Sequence, residues 1–281
     1  MTPITATIDF SVNDRVRSIK RLIEQASIIE NRTHGQPILI DLRKCQYLGP
    51  DAVAILGAML THAGETSPIE ILPPEGPPEL RNFFRASGLY DFTRKKNTYQ
   101  DDYLFDPGFV LSLTQVKKAS FQAADPIMKM LHHFGALNDE QEESLRVCVN
   151  EVIQNVQDHA NSPVGAIMTA RFMRKDAEVR VAIVDRGVGV RTSLSSRYSD
   201  MTPENVMQRV LGGNYSALSR INNKGLGLSL LASIIGSLNG DLFLLSENST
   251  AEIRRGSKKA FMRLTSGFRG TCVFFTLPVG A

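Results

Sequence analysis

The sequence has few cysteines and no long apolar run. Its three cysteines, Cys45, Cys148 and Cys272, fall within apolar helix or strand patterns, and their spacing suits neither a disulfide framework nor a metal site. We therefore expect all three cysteines to be small residues of the core. The longest apolar runs are too short to span a bilayer, and Asp9 and Asp14 interrupt the segment where a signal peptide would be apolar. These absences predict a cytoplasmic protein that does not enter a membrane.

Charge of either sign is not in excess. The chain carries 32 Lys and Arg against 29 Asp and Glu, a net charge of +3. This balance gives no strong electrostatic footprint for nucleic acid. A basic run at 254–259 lacks interleaved aromatic residues that could stack on bases, so we interpret it as the tip of a hairpin that turns at Gly256 and Ser257.

The 281 residues, 42% of them hydrophobic, suffice for one large or two ordinary domains. In the first third, predicted strands alternate with predicted helices, which is typical of a small α/β domain. The strands are expected at 4–10, 38–42 and 69–72, and the helices at 14–31, 51–62 and 79–86. We predict a first domain at 1–92, a polar linker at 93–105 and a second α/β domain at 106–281.

The second domain contains a motif-bearing helix. We expect the helix to begin at Asn138 or Asp139, with Glu142 or Glu143 closing a capping box. Its apolar residues then recur at intervals of three and four, which predicts a buried stripe.

The polar face of this helix carries Glu151, Asn155 and His159, spaced by four residues within the segment EVIQNVQDHA. An amide oxygen can ligate a hard cation such as Mg²⁺, and a carboxylate one turn away can orient a water or act as a base. The same spacing also occurs on ordinary amphipathic helices, so the helix alone does not decide its function.

A second motif, DRGVG, follows two predicted strands at 164–174 and 178–185. Asp185 is thereby placed at a strand end, where its carboxylate could accept a hydrogen bond from the exocyclic amine of a base. Gly187 and Gly189 would let the backbone approach a ligand closely. A polar turn at the end of a hairpin is the alternative.

The third and fourth motifs are KGLGL at 224–228 and RGT at 269–271. KGLGL opens an apolar helix predicted at 228–238, where free backbone N–H groups and the helix dipole favour a phosphate. Thr271 begins a predicted strand at 272–277 and could contact a base or an ordered water. Between the second and third motifs, residues 191–224 are long enough for a functional lid, with a helix at 201–211 that starts at Thr202 and Pro203.

These four motifs, in this order, resemble the GHKL family of ATPases, which includes histidine kinases, gyrase-type ATPases and anti-sigma serine kinases. The resemblance covers residues 106–281. It implies a Bergerat-type α/β sandwich, with a layer of helices on a mixed sheet, and it implies ATP and Mg²⁺ as cofactors, held between a helix and the lid.

The resemblance also implies residue roles. Asp185 would bind the adenine amine, Asn155 would ligate magnesium, and Glu151 would be the candidate catalytic base. Thr271 would line the base pocket. The lid and phosphate loop would be shaped by the remaining candidate nucleotide-binding residues: Gly187, Gly189, Lys224, Gly225, Leu226 and Gly227.

Two segments of the first domain, 38–57 and 80–91, resemble STAS domains, the fold of anti-sigma factor antagonists. That family usually has Asp-Ser-Ser-Gly at the start of its second helix, where one serine accepts phosphate. This chain has Gly49, Pro50, Asp51 and Ala52 there. We therefore expect a docking element and not a phosphate acceptor, with Asp51 supplying a fixed negative charge.

The predicted function is an ATP-binding regulatory protein of the anti-sigma or partner-switching type. One alternative is a serine/threonine protein kinase that acts on a separate protein, and another is a non-catalytic ATP-binding interaction module. A histidine autokinase is disfavoured because no phosphoacceptor helix precedes the second domain, although His132 and His133 lie within it. The sequence leaves open the partner protein, a homodimer and whether the chain is an enzyme.

Overall fold

The computed structural model describes residues 2–8, 15–31, 33–93, 110–212, 227–257 and 259–280, and within them the strands form two sheets. The first sheet is parallel, in the order β1 (Ile4–Thr7), β2 (Ile38–Asp41) and β3 (Ile69–Leu72). Four helices belong to this region: α1 (Arg15–Glu30), α2 (Pro50–Ala63), α3 (Pro78–Ala86) and α4 (Leu89–Thr93). The predicted alternation of strands and helices is confirmed. We call the described residues from 2 to 93 the N-terminal unit.

Helix α2 is the most deeply buried helix of this unit. Pro50 lies in its first turn, where a missing N–H is harmless. The helix has almost no polar side chain after Asp51, and 12 of its 14 residues are buried. A helix that is apolar on every side must pack between two layers, so α2 predicts a second layer beyond the parallel sheet.

The second sheet has five strands in the order β4-β5-β6-β8-β7. Their bounds are β4 (Val110–Val116), β5 (Ala166–Met173), β6 (Glu178–Asp185), β7 (Asp241–Ile253) and β8 (Ala260–Pro278). All four described pairings are antiparallel, so the expected mixed sheet was wrong. The reason is the connections: β5–β6 and β7–β8 are hairpins, which make neighbouring strands antiparallel.

Helices cover one face of this sheet. They are α5 (Asp125–His133), α6 (Asp139–Asn155), α7 (Val190–Ser193), α8 (Ser195–Tyr198), α9 (Pro203–Gly212) and α10 (Gly227–Ser237). Asn138 caps α6 as predicted, but Gln141 closes the capping box in place of Glu142 or Glu143. Gln141 is the residue three positions after the cap, where its side chain can reach back to the Asn138 N–H.

The N-terminal unit covers the opposite face. Alternation along the strands divides the side chains: on β6, Ile183 joins the core under the helices and Val184 joins the core shared with the N-terminal unit. Helix α2 lies across β5 and β6. Its Gly57 allows this approach, because a Cβ there would lie 3.0 Å from Leu113 Cδ1. The five-stranded sheet is therefore buried on both faces.

Polar contacts also join the two parts. Arg180 Nη1 donates to Tyr47 Oη at 2.7 Å, and the Arg171 guanidinium lies 4.2 Å from the centre of the Phe83 ring. Residues 94–109, which include nearly all of the predicted linker, lie outside the described residues. The domain boundaries therefore remain predictions.

The cysteines, the start of α9 and the last strand were also predicted from the sequence. Cys45, Cys148 and Cys272 are buried, as predicted. Thr202 caps α9 through its hydroxyl, which accepts from the Asn205 N–H at 3.3 Å. Strand β8 begins at Ala260, well before the predicted residue 272. Within the described residues, no helix is both long and apolar enough to cross a membrane.

Candidate functional site

A cavity of about 280 Å³ lies between the helical layer and the sheet. Four predicted site residues line it: Asn155, Asp185, Gly189 and Thr271. Most of the remaining wall is apolar and includes Val152, Ile183, Val210, Leu228 and Val273. A mainly apolar cavity with a few convergent polar groups is the usual form of a small-molecule site.

Asp185 is the buried carboxylate of this cavity, with 4% of its surface exposed. Burial raises the pKa of Asp185 to about 6, although hydrogen bonds from Gly187 and Thr271 and the charge of Arg186 act in the opposite direction. The Gly187 N–H donates to Asp185 Oδ1 at 2.7 Å. A carboxylate has capacity for several donors, so Asp185 can also accept a hydrogen bond from an amine in the cavity.

The two positions of the DRGVG motif that carry glycine require it for different reasons. A Cβ at Gly187 would lie 2.1 Å from the carbonyl oxygen of Ala160, which ends the π-helical turn Val156–Ala160 after α6. Gly189 has φ +85°, and a Cβ there would lie 2.5 Å from Glu247 Cγ. The first glycine lets the loop approach α6, and the second lets it approach β7.

Ser246 on β7 supports this loop and was missed by the sequence reasoning. The Val190 N–H donates to Ser246 Oγ at 2.8 Å. Ser246 Oγ in turn lies 3.0 Å from Thr271 Oγ1 and 3.1 Å from the carbonyl oxygen of Gly270. Since Thr271 also contacts Asp185, one chain of hydrogen bonds runs from the loop to the buried carboxylate.

Glu247, the next residue, was missed as well. Its carboxylate accepts from the Arg191 N–H at 2.9 Å, the Thr192 N–H at 3.2 Å and the Thr192 hydroxyl at 2.7 Å. It therefore satisfies backbone donors at the start of α7. Its φ of 52° accompanies an irregularity in the β7–β8 pairing. The only sequence signal was the change from the apolar run LFLL to the polar run SENST within the strand.

A further part of the site forms where α6 meets the first residue of α10. A Cβ at Gly227 would lie 2.9 Å from Glu151 Cβ, 3.1 Å from Glu151 Oε2 and 3.6 Å from Asn155 Nδ2. Gly227 thus brings the start of α10 against both polar side chains. Asn155 and His159 line the cavity, whereas Glu151 lies beside Asn155 without being part of the lining.

The residues present fit a magnesium ion held mainly by phosphate. Mg²⁺ prefers oxygen ligands and commonly takes one or two from protein, with the rest from phosphates and water. Asn155 and Glu151 can offer such oxygens at the start of α10, where a triphosphate would be attracted. Within the described part of the chain, no group of three or more His, Cys, Asp or Glu forms a metal site of its own.

Three predicted site residues, Lys224, Gly225 and Leu226, lie outside the described residues, as does the rest of 213–226. The structure therefore places the first part of the predicted lid region, residues 191–212, but neither its end nor the phosphate-binding segment. Residues that line the cavity from the described part of the lid include Ser193, Leu194 and Ser196. The sequence did not single these out, because a small polar residue in a loop carries no distinctive pattern.

The geometry agrees with a comparison against protein families. The family model described as histidine kinase-, DNA gyrase B-, and HSP90-like ATPase matches residues 140–281, half of the chain. The matched segment contains all four motifs and every residue of the cavity. No curated protein matches the chain.

Proposed function

Because this chain belongs to the family of histidine kinase-, DNA gyrase B- and HSP90-like ATPases, we propose that it is an ATP-controlled regulatory protein of the partner-switching type. The observation that carries the proposal is the cavity itself. Asp185 and Thr271 both line it, and they would offer an adenine a carboxylate and a hydroxyl. Asn155 also lines it and lies beside the start of α10, and this pair suits magnesium and phosphate.

The proposal assigns ATP an ordering role. In this scheme bound nucleotide fixes α7, α8 and α9, and the ordered form presents a different surface to a protein partner. Helix α9 is held in place by packing, because its residues Val206, Met207, Val210 and Leu211 are buried. Gly227, the first residue of α10, lies beside Glu151 and Asn155.

The N-terminal unit is proposed to be STAS-like and to act as a docking element. Asp51, suggested above as a fixed charge for a partner, is only 7% exposed, and its Oδ1 accepts from the Ala52 N–H at 2.9 Å. A carboxylate enclosed in this way cannot be presented on the surface as a phosphoserine mimic. The docking role therefore falls to the unit as a whole, which is packed on the five-stranded sheet.

The N-terminal unit is also proposed not to be a substrate of its own ATPase domain. The five-stranded sheet lies between α2 and the cavity, and the first turn of α2 has no hydroxyl. The hydroxyl of Thr61, farther along α2, donates to the Gly57 carbonyl oxygen. Mass spectrometry after incubation with ATP and magnesium should find no stoichiometric phosphate within residues 44–62; phosphate there would overturn this part.

A serine/threonine kinase acting on a separate protein is the second candidate. Glu151 favours it, because a carboxylate beside Asn155 and the start of α10 could act as a base in phosphoryl transfer. Incubation with γ-phosphate-labelled ATP separates the candidates. Label on a co-purified protein indicates a kinase, free labelled phosphate indicates an ATPase switch, and tight binding without either indicates a static module.

The regulatory proposal needs one further measurement. We expect a pull-down from lysate to recover a protein whose amount changes when ATP and magnesium are added. If calorimetry shows that the wild-type protein binds neither ATP nor ADP, the proposed function is wrong.

A further inference from the structure

Arg186 follows Asp185 directly, but its side chain faces away from the cavity, toward the N-terminal unit. It is 2% exposed, and its Nη2 contacts the carboxylate of Glu30, the last residue of α1. Its Cζ lies 5.1 Å from the centre of the Phe268 ring. Within the described residues, Arg186 Nε and Nη1 have no hydrogen-bond partner. Glu30 is thus the carboxylate on which this buried guanidinium depends.

The energetic consequence follows from burial. Burial lowers the pKa of Arg186, and Glu30 raises it again, while the charge of Arg269 acts in the same direction as burial. When one partner of a buried ion pair is removed, the other is left as an uncompensated charge. The least costly response is for the Arg186 side chain to move toward water, which would displace the backbone that carries it.

That backbone belongs to the nucleotide site. The Arg186 N–H donates to Ser162 Oγ at 3.1 Å, and the next N–H, of Gly187, holds Asp185 Oδ1. Gly187 has no space to shift toward α6, because it already contacts Ala160. The positive charge of Arg186 also helps to keep Asp185 ionised. Movement of Arg186 would therefore alter both the position and the charge state of Asp185.

We propose that Glu30 is a positioning residue for the nucleotide site: it holds Arg186, Arg186 fixes residues 185–189, and the N-terminal unit thereby sets the affinity for nucleotide. The inference rests on the proposed function, since it requires that Asp185 receive the adenine. By linkage, nucleotide binding must strengthen the Glu30–Arg186 contact by the same factor that the contact strengthens nucleotide binding.

The test is a double-mutant cycle on the full chain, with ATP and ADP affinities measured by calorimetry. Glu30→Gln should weaken binding by about three- to tenfold, in the lower part of the range for coupled neighbours. Arg186→Met, which replaces the buried charge by an apolar side chain of similar length, should also weaken binding. Adding Glu30→Gln to Arg186→Met should cause no further loss, because Glu30 then has nothing to hold.

Tyr47→Phe is the matched control. It removes the hydroxyl that binds Arg180, another polar contact between the N-terminal unit and the sheet, but leaves Arg186 untouched. We expect its nucleotide affinity to equal that of the wild type, even if its melting temperature falls. A general loosening of the N-terminal unit would instead weaken binding in Tyr47→Phe as well, and that result would overturn the inference.

Two other outcomes would overturn it. One is unchanged affinity in Glu30→Gln, and the other is an equal loss from Glu30→Gln with and without Arg186→Met. Failure of the proposed function is distinguishable from these, because it requires that the wild-type protein itself bind no adenine nucleotide. If Arg186→Met fails to fold, the comparison of Glu30→Gln with Tyr47→Phe still decides.

Discussion

The two faces of the five-stranded sheet are both apolar, but they are covered in different ways. On the outer face, α2 is apolar on every side and lies directly across β5 and β6. On the inner face, the ends of α6, α9 and α10 meet, and they leave about 280 Å³ between them. The difference lies in what covers the strands. The sides of α1 and α2 pack on the outer face, whereas the ends of several helices surround a space on the inner face.

Residues that are neighbours in the sequence lie on opposite faces of the sheet. Asp185 lines the cavity, and the side chain of Arg186 contacts Glu30 of the N-terminal unit. Along β8, Val273 lines the cavity and Phe274 joins the outer core. Strand alternation therefore assigns each side chain to one face. Substitutions on the inner face should act directly on nucleotide chemistry. Those on the outer face should act mainly on packing stability, with the Glu30–Arg186 pair as the proposed exception.

The largest expected effect belongs to the inner face. Glu151→Ala removes a carboxylate beside Asn155 and should lower the rate of any phosphoryl transfer or hydrolysis by about 10²- to 10⁴-fold, as for loss of a positioned base. ATP affinity should largely survive, since Glu151 does not line the cavity. Phosphate release and calorimetry on the same sample measure both. An unchanged turnover rate would show that Glu151 is not the base.

Asp185→Asn should have the next largest effect. The amide keeps the shape of the carboxylate but can turn its NH₂ group toward the donors around it, which leaves buried groups unpaired at a cost of about 1–3 kcal/mol. ATP should bind about tenfold more weakly, or worse. Calorimetry that gives wild-type affinity in this variant would exclude Asp185 as the adenine contact. Asp176→Asn, on the exposed turn before β6, is a matched control and should bind normally.

How much of this the sequence predicted depends on the range of each interaction. Asp185 was placed at the end of a strand, and it is the last residue of β6. Thr202 and Pro203 were placed at the start of a helix, and α9 begins there. Both depend on local patterns, alternation in one case and capping in the other. The motif order also predicted one nucleotide pocket, and Asn155, Asp185 and Thr271 line the same cavity.

The parts that could not be predicted depend on distant residues. Ser246 reaches Val190 across 56 positions, through a strand irregularity that no local pattern indicates. The length of β8 was missed because apolar and polar residues do not alternate regularly in its first half, which is largely exposed. That half belongs to a long hairpin, and Lys259 Nζ there donates to the Leu211 carbonyl oxygen at 2.9 Å, at the end of α9. The packing of α2 on the outer face likewise could not be predicted, because it joins residues that are distant in sequence.

The outer face is tested by Gly57→Leu. The new side chain must enter the space of Leu113 and Ile167, and overpacking of this kind costs about 1–3 kcal/mol of unfolding free energy. Gly236→Leu is a matched control in α10, because no atom lies within 4 Å of a Cβ there. It should be neutral or slightly stabilising, since leucine favours helix over glycine. Denaturant unfolding measures both; equal behaviour of the two variants would argue against α2 packing on the sheet.

The pH dependence of Asp185 has opposite signs for binding and for stability. A ligand amine needs the ionised carboxylate, so with a pKa of about 6 binding should be about tenfold weaker at pH 5 than at pH 7. For folding, burial raises the pKa above its unfolded value. The stability contribution of Asp185 is therefore fully present below about pH 4 and is lost as the pH rises through about 6.

This pH dependence is best measured with adenosine, which has no titrating phosphate. His159 also lines the cavity, and Arg186 and Arg269 lie nearby. The Asp185→Asn variant keeps all three residues, so it isolates the carboxylate. We expect the pH dependence of adenosine binding to disappear in that variant. If it persists unchanged, another group is responsible.

The smallest expected effect concerns Ser246, whose hydroxyl joins the two strands of the site to the loop. Ser246→Ala leaves the Val190 N–H without its acceptor and Thr271 without its neighbour. A neutral hydrogen bond is worth about 0.5–1.5 kcal/mol, so nucleotide affinity should fall by about two- to tenfold. Ser249→Ala is the control. Its hydroxyl on the same strand is buried but has no hydrogen-bond partner within the described residues. Its replacement should leave affinity unchanged, because it removes no contact with the loop. Equal calorimetric affinities for the two variants would mean that the hydroxyl of Ser246 does not help to hold the loop in its binding conformation.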